Sequence, residues 1–383
     1  MIGGFALSFY WAGAREVNPH APVENTMTKT FLLIAAFGSF LTAADGQILG
    51  QLPASPLQVV STVPGNGDVN PYGVAFVPSG FASGGLLRAG DIVVSNFNNS
   101  GNFQGTGTTI VSIAPDGTPS LFFQGAAGLG LSTALGVLRE GVVLVGNVPT
   151  TDGTFGTIQQ GSLIAIDRWG HQIASFTDST FLDGPWDLTL VDHGSRATVF
   201  VSNVLNGTVS RLELRIGRDG EHVSLDSATQ IAKGYLHRGD PNALAIGPTG
   251  LAYDEREDEL FVASTGDNAI YAIRNAGERW QPETKGRLVY QDDAHLRGPL
   301  GLLQEPDGNF ITTNGDAING DPNFPSEMVE FTRAGKFLAQ YSVDLGGQGG
   351  AFGLALAEGC DGMRRLAAVD DVVNTLEVWT LQK

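Results

Sequence analysis

Short apolar runs separated by turns recur along the chain from residue 57 to its end. The runs are rich in Val, Ile, Leu and Phe, and they are bounded by Gly, Pro, Asn or Asp, which is the pattern of β-strands. Beyond the N-terminal segment, no stretch shows the apolar period of an amphipathic helix. The pattern therefore predicts an all-β fold.

Two sequence markers recur six times, at a period of roughly fifty-five residues. The first marker is a turn followed by a small or apolar strand opening, and it begins at Pro71, Ala134, Pro185, Thr249, Pro299 and Ala351. The second marker is a β-rich run with a polar end, and it finishes at Asn96, Asn147, Asn203, Ser264, Asn314 and Asp370. A third and a fourth strand follow in each unit, as at residues 109–113 and 120–123. Six four-stranded units at this period predict a six-bladed β-propeller.

The two ends of the repeat region predict how the ring closes. The sixth unit ends with its third strand, residues 376–380, and has no outer strand of its own. Residues 57–63, which precede the first unit, form a spare strand. Placed in the last blade, this N-terminal strand completes the sheet and removes a free edge.

Three segments carry a family resemblance: Gly73-Val74-Ala75, the strand 91–96 (DIVVSN), and Gly207-Thr208-Val209. The repeats resemble NHL-type six-bladed propellers and, more distantly, gluconolactonase and regucalcin-like propellers. The resemblance covers residues 57–383 and implies the architecture. NHL-type propellers include binding scaffolds and lyases, so the resemblance implies no single activity.

The markers also predict where a site lies. In a propeller blade the innermost strand starts, and the second strand ends, on the same face of the ring, so both markers gather around one mouth of the central channel. The residues predicted to bind a ligand there are Tyr72, Asn96, Trp186, Asp187, Asn314 and Phe352. Two other interpretations stay open. Asn and Asp at strand ends favour turns, and the aromatic side chains also suit packing between blades.

A metal site is a second hypothesis for the same mouth. Oxygen ligands from amide and carboxylate groups suit a hard cation such as calcium. Gluconolactonase-like enzymes hold a channel metal with a Glu/Asn/Asn/Asp set, and the resemblance implies Asn147, Asn203 and Asp370 as the nearest counterparts. No glutamate stands at the expected first-blade position. The predicted cofactor is a divalent cation, calcium or zinc.

The loop that follows the fourth blade supplies the candidate catalytic residues. His295 and Asp293 lie in it, and a histidine beside a carboxylate can act as a general base. An exposed loop histidine that is simply solvated is the alternative.

The charge composition of the chain limits the classes of partner that we expect. The chain has 383 residues and a net charge of −18, with a pI near 4.6. An acidic surface repels phosphate backbones and anionic membranes, so no nucleic acid is expected as a partner. A small molecule or a protein at the channel face remains as the expected partner.

The N-terminus predicts export. Lys29, the apolar run 31–41 and the small residues 42–44 have the order of a secretory signal peptide. We interpret residues 1–26 as a misassigned upstream extension, 27–46 as the signal peptide, 47–56 as a linker and 57–383 as the propeller. The predicted location is secreted or periplasmic, with no membrane insertion after signal removal; a short membrane anchor is the rival interpretation.

Three functions follow as hypotheses. The first is an exported NHL-type propeller that binds a ligand or a partner protein at the channel mouth. The second is a metal-dependent hydrolase or lactonase that uses the same ring of side chains. The third is a purely structural scaffold.

Overall fold

The computed structural model of the chain describes residues 47–315, 321–359 and 362–381. The predicted upstream extension and signal peptide lie outside these residues and stay predictions. The described residues form 27 strands and two 3-10 helices, Leu49–Gln51 and Phe155–Thr157. Neither of these helices is long or apolar enough to cross a bilayer.

The strands form six blades around an axis, so the predicted six-bladed β-propeller is confirmed. Strand β1 (Gln58–Ser61) precedes the blades in the chain. From the channel outward, blade one is β2 (Val69–Phe76), β3 (Ile92–Asn98), β4 (Thr109–Ile113) and β5 (Pro119–Gln124). Blade two is β6 (Leu131–Leu138), β7 (Val142–Asn147), β8 (Ser162–Asp167) and β9 (Gln172–Phe176). Blade three is β10 (Pro185–Asp192), β11 (Arg196–Asn203), β12 (Thr208–Ile216) and β13 (Val223–Lys233).

A hairpin of β14 (Arg238–Asp240) and β15 (Leu244–Ile246) separates blades three and four. Blade four is β16 (Pro248–Asp254), β17 (Glu259–Ser264), β18 (Ala269–Arg274) and, after the short strand β19 (Glu283–Thr284), β20 (Arg287–Tyr290). Strand β19 pairs in parallel with β13 of blade three. Blade five is β21 (Pro299–Gln304), β22 (Phe310–Asn314), β23 (Glu327–Phe331) and β24 (Phe337–Ser342). Blade six begins with β25 (Ala351–Glu358), β26 (Arg364–Asp370) and β27 (Thr375–Leu381).

The N-terminal strand closes the ring, as predicted. Strand β1 is the outermost strand of blade six and pairs antiparallel with β27, with Gln58 opposite Val378 and Ser61 opposite Thr375. The first and last parts of the propeller are thus held in one sheet by backbone hydrogen bonds. This pairing covers the edge of β27 that would otherwise be free to pair with another chain.

Apolar side chains fill the seams between neighbouring blades. Along one strand, successive residues serve opposite seams: Val143 packs toward blade one, while Leu144 packs toward blade three. Both faces of each blade are therefore buried, which explains why the strands are continuous apolar runs rather than alternating ones. Each fully buried Val, Leu, Ile or Phe contributes about 1.5–3 kcal/mol to stability.

A β-bulge near the start of each inner strand explains the glycine of the first marker. In blade six the register shifts between Ala351 and Leu354, and Gly353 lies within the bulge. A Cβ added at Gly353 would lie 2.1 Å from the Tyr72 carbonyl oxygen of blade one, and one at Gly250 would lie 2.3 Å from the Leu300 carbonyl oxygen of blade five. Glycine is required at these two positions because the next blade's backbone approaches so closely.

Blade two departs from the predicted alignment of the repeats. Its register passes from Leu131 opposite Asn147 to Leu135 opposite Val145, so Leu135 corresponds to Val74 of blade one. The sequence marker had aligned Val137 with Val74, which is two residues too far along. The bulge of blade two holds one residue more than the bulge of blade one, and this insertion hid the correspondence.

Hydroxyl groups connect the bulges of adjacent blades. Ser95 Oγ accepts a hydrogen bond from the Gly73 N–H at 3.0 Å and donates one to the Ser132 carbonyl of blade two at 2.9 Å. Thr313 Oγ1 makes the same pair of contacts between Gly301 and the Phe352 carbonyl of blade six, both at 2.8 Å. Backbone groups that the bulges leave unpaired are satisfied in this way.

Candidate functional site

Four aromatic side chains fill the channel at the end where the inner strands begin. Tyr72 stacks on Phe97 at 4.5 Å and on Phe352 at 4.2 Å between ring centroids, and its centroid lies 5.9 Å from that of Trp186. The four rings are at most 3% exposed. Because the contacts join blades one, three and six across the axis, these four residues form an aromatic plug that closes this end of the channel.

The insertion between blades three and four covers the aromatic plug. Leu244 and Ala245 of β15 belong to the same buried apolar cluster as the plug. A Cβ added at Gly239 of the hairpin would lie 2.5 Å from the Phe155 ring, so the hairpin also packs on the loop of blade two. The structure thus places Tyr72, Trp186 and Phe352, which were predicted to bind a ligand, inside a packed core.

The recurrent Asn and Asp side chains lie at the ends of the second strands, as predicted, and are at most 3% exposed. Asn147 Oδ1 accepts the Ser162 N–H at 2.9 Å, and Asn203 Oδ1 accepts the Asp183 N–H at 3.1 Å. Asn314 Oδ1 accepts the Arg297 N–H at 2.8 Å, and the Asn96 amide donates to the Thr62 carbonyl at 3.0 Å. These groups fasten each second strand to the segments beside it.

The side chains predicted to bind a metal make hydrogen bonds to backbone N–H groups. The amide oxygens of Asn147 and Asn203 already accept backbone N–H groups. Asp370 Oδ1 accepts the Val372 N–H at 2.9 Å, and burial together with the Asp344 carboxylate raises the pKa of Asp370 to about 6. Among the described residues, no three His, Cys, Asp or Glu side chains lie close enough together to hold a metal ion.

The candidate catalytic residues lie away from the channel. The His295 ring stacks on Phe337 at 3.8 Å, and its Nδ1 bonds to Asp292 Oδ2 at 2.6 Å, so its partner is Asp292 rather than Asp293. Partial burial acts to raise the pKa of Asp292, but hydrogen bonds from His295 and Ala294 outweigh it and lower the pKa. Asp293 Oδ1 accepts a long hydrogen bond from Asn268 at 3.4 Å. Neither predicted residue lines the channel cavity.

Beyond the aromatic plug, the channel is open toward the end where the inner strands finish. This cavity has a volume of about 530 Å³, and the inner strands of all six blades line it. Apolar and polar groups share the lining almost equally, and the leucines at equivalent depths around the axis are Leu135, Leu188, Leu251, Leu302 and Leu354. A volume of this size lies in the range of small-molecule sites.

Asp187 is the charged residue of the channel wall, since among the described residues Tyr253 is the only other ionisable one that lines the cavity. It occupies the bulge position that is glycine in four other blades. Its two carboxyl oxygens accept the Leu188 N–H at 2.8 Å and the Leu251 N–H of blade four at 3.0 Å. Burial raises the pKa of Asp187 to about 7, because these two hydrogen bonds offset only part of the desolvation.

Comparisons with known proteins find similar solved structures at low sequence identity. No protein-family model matches the chain, and no curated protein matches it. Regucalcin from Agrobacterium tumefaciens, a calcium-binding protein, has a similar structure at 13% identity, covering 83% of this chain and 92% of that one, with a TM-score of 0.49. A gluconolactonase from Xanthomonas campestris is 12% identical over 86% of this chain and 98% of that one, with a TM-score of 0.49. A chain of the nidogen/laminin complex is 11% identical over 75% and 84%, with a TM-score of 0.46.

At these identities the likeness concerns the fold, and activity does not follow from it. The protein is a six-bladed β-propeller, with gluconolactonase and regucalcin-type propellers among its structural neighbours. Sequence reasoning placed Asp187 at the closed mouth and missed the open cavity. The available signal was the substitution itself, since Asp187 stands where the other first markers have glycine.

Proposed function

We propose that this propeller binds a small molecule in its central channel, which the ligand enters at the end opposite the aromatic plug. The observation that supports this most directly is the cavity of about 530 Å³ with the Asp187 carboxyl group in its wall. An apolar concavity with few polar groups is the usual form of a small-molecule site. On the N-terminal sequence pattern alone, we further propose that the protein is exported.

A small molecule fits this cavity better than a partner protein does. Stable protein interfaces bury about 800 Å² per partner on fairly open surfaces. The channel is instead a concave space whose walls are the inner strands themselves. Asp187 offers a hydrogen-bonding group in this space, and such a group orients a ligand.

Binding of the neutral fluorescent probe N-phenyl-1-naphthylamine tests the proposal. We expect wild-type protein to bind the probe and Thr189→Trp, which fills the cavity from blade three, to weaken binding at least tenfold. His193→Trp, in the exposed turn of the same blade, is the matched control and should bind as the wild type does. Equal binding by Thr189→Trp would place the probe elsewhere and overturn the proposal.

A further inference from the structure

A second cavity opens beside the channel, in the seam where the ring closes between blades six and one. This seam cleft has a volume of about 520 Å³. Its walls are mostly apolar, with contributions from Phe76, Val77, Ile92, Ala114, Ala357 and Val378. Glu358 and Arg365 are its charged residues.

The way the ring closes explains why this seam contains a cleft. Strand β1 pairs with residues 375–378 of β27 and does not extend along residues 379–381. On the other wall, the long turn that follows β2 bends toward blade two, where Ala82 N–H bonds to the Arg139 carbonyl and Leu86 N–H to the Arg168 carbonyl, both at 2.8 Å. Both elements that could fill the seam therefore lie elsewhere.

The seam cleft borders the channel cavity. Phe76, Pro78 and Ala357 line both spaces. Blade three, which carries Asp187, stands opposite blade six in a ring of six. A molecule that contacts both Asp187 and the seam cleft must therefore extend across the channel.

The charge of the channel wall indicates which polar group such a molecule carries. Asp187 is an acid in a channel whose lining includes no basic residue, and the whole chain has a net charge of −18. An anionic group would be repelled there, whereas an ammonium group would pair with the carboxylate. Two lone-pair positions of the carboxylate remain for this pairing after the bonds to Leu188 and Leu251.

We propose that the channel and the seam cleft form one site for an elongated amphipathic amine, with its ammonium group at Asp187 and its apolar body in the seam cleft. This proposal rests on the proposed function of the channel. The ligand class is a primary or substituted amine on an apolar chain or flat ring system.

Displacement of N-phenyl-1-naphthylamine by n-alkylamines tests both parts of the site. From hexylamine to decylamine, we expect affinity to rise about three- to fourfold per methylene, the gain from burying one such group. Ala89→Trp, which narrows the seam cleft from an exposed position, should abolish this gain but still bind hexylamine. Ala334→Trp, in the exposed turn after β23, is the matched control. A chain-length gain that persists in Ala89→Trp would overturn the role of the seam cleft.

The ammonium position has its own test. Wild-type protein should bind decylamine at least tenfold more tightly than decanoate, and Asp187→Asn should remove this preference. In wild-type protein, decylamine affinity should fall about tenfold per pH unit below pH 7, because Asp187 takes up a proton there, while decanol affinity stays constant. Tyr253 does not titrate in this range, since its hydroxyl bonds to Asp258 and its pKa is raised.

The outcomes separate the two proposals. If the fluorescent probe does not bind wild-type protein, the channel site itself is wrong. If the probe binds but alkylamines of all lengths displace it equally, or decanoate displaces it as well as decylamine does, only the elongated amine is wrong. The pH series uses wild-type protein and so decides the question even if a variant folds poorly.

Discussion

The two ends of the central channel are built from the same six inner strands, but one end is filled by packed side chains and the other contains an open cavity. At the closed end, aromatic rings from blades one, three and six meet on the axis, and the Asn side chains are bonded to the backbone of neighbouring segments. At the open end, aliphatic side chains line a cavity of about 530 Å³. The residues that recur from blade to blade therefore stabilise the blades themselves. Asp187, the residue that departs from the repeat, lines the cavity.

This difference has a physical reason. A feature that each blade repeats solves a problem that each blade has, such as the unpaired backbone groups at a bulge or at the end of a strand. A ligand breaks the symmetry of the ring, so its contacts need side chains that one blade alone supplies. In a repeat protein, an exception to the repeat is thus a better indicator of a site than a recurrent polar residue.

The largest expected effect contrasts packing at the two ends. Trp186→Ala should lower the free energy of unfolding by about 3–5 kcal/mol, because the cavity left in the aromatic plug cannot collapse. Leu356→Ala, at the partly exposed open end, should cost about 1 kcal/mol, since the side chain buries less surface. Urea denaturation monitored by circular dichroism measures both. Equal losses would show that the two ends are packed alike.

The next largest effect concerns the Asn residues that end the second strands at the closed end. Asn203→Ala removes the acceptor of the buried Asp183 N–H and should cost about 1–3 kcal/mol. The melting temperatures of wild type and variant should each be the same with calcium and with a chelator. Calcium-dependent stabilisation of the wild type that Asn203→Ala abolishes would instead support the predicted metal site.

The architecture could be predicted from the sequence because each propeller blade is specified by residues that are close together in the chain. Apolar runs, turn residues and the bulge glycines each specify one blade, and the unmatched strand at residues 57–63 implied ring closure, which β1 makes. The content of the channel was not predictable in this way. Whether Tyr72 and Trp186 line a mouth or fill it depends on how far their rings reach across the axis, and on a hairpin inserted between blades three and four.

Another feature that sequence reasoning missed is a buried pair of carboxyl groups beside the N-terminal segment. Glu330 accepts the backbone N–H groups of Ile48 and Leu49 at 3.1 and 2.8 Å, and fixes residues 48 and 49 against blade five. Burial, with the nearby Glu330, raises the pKa of Glu305. Glu305 directly follows β21 and Glu330 lies in β23, so no spacing in the sequence indicates that the two side chains meet.

The smallest expected effect compares buried carboxyl groups at the two ends as pH changes. The pKa values of Asp187 and Asp370 are raised to about 7 and about 6, above the value near 4 of the unfolded chain. The folded state therefore holds these protons more tightly, and the free energy of unfolding should fall as pH rises, up to pH 6 for Asp370 and up to pH 7 for Asp187. Urea denaturation between pH 5 and pH 8 should show this fall in the wild type. Asp187→Asn should remove about 1 kcal/mol of the fall between pH 6 and 7, whereas Asp370→Asn should reduce only the part below pH 6. An unchanged slope in Asp187→Asn would mean that water in the open channel solvates this carboxyl group fully, and the electrostatic contrast between the two ends would be lost.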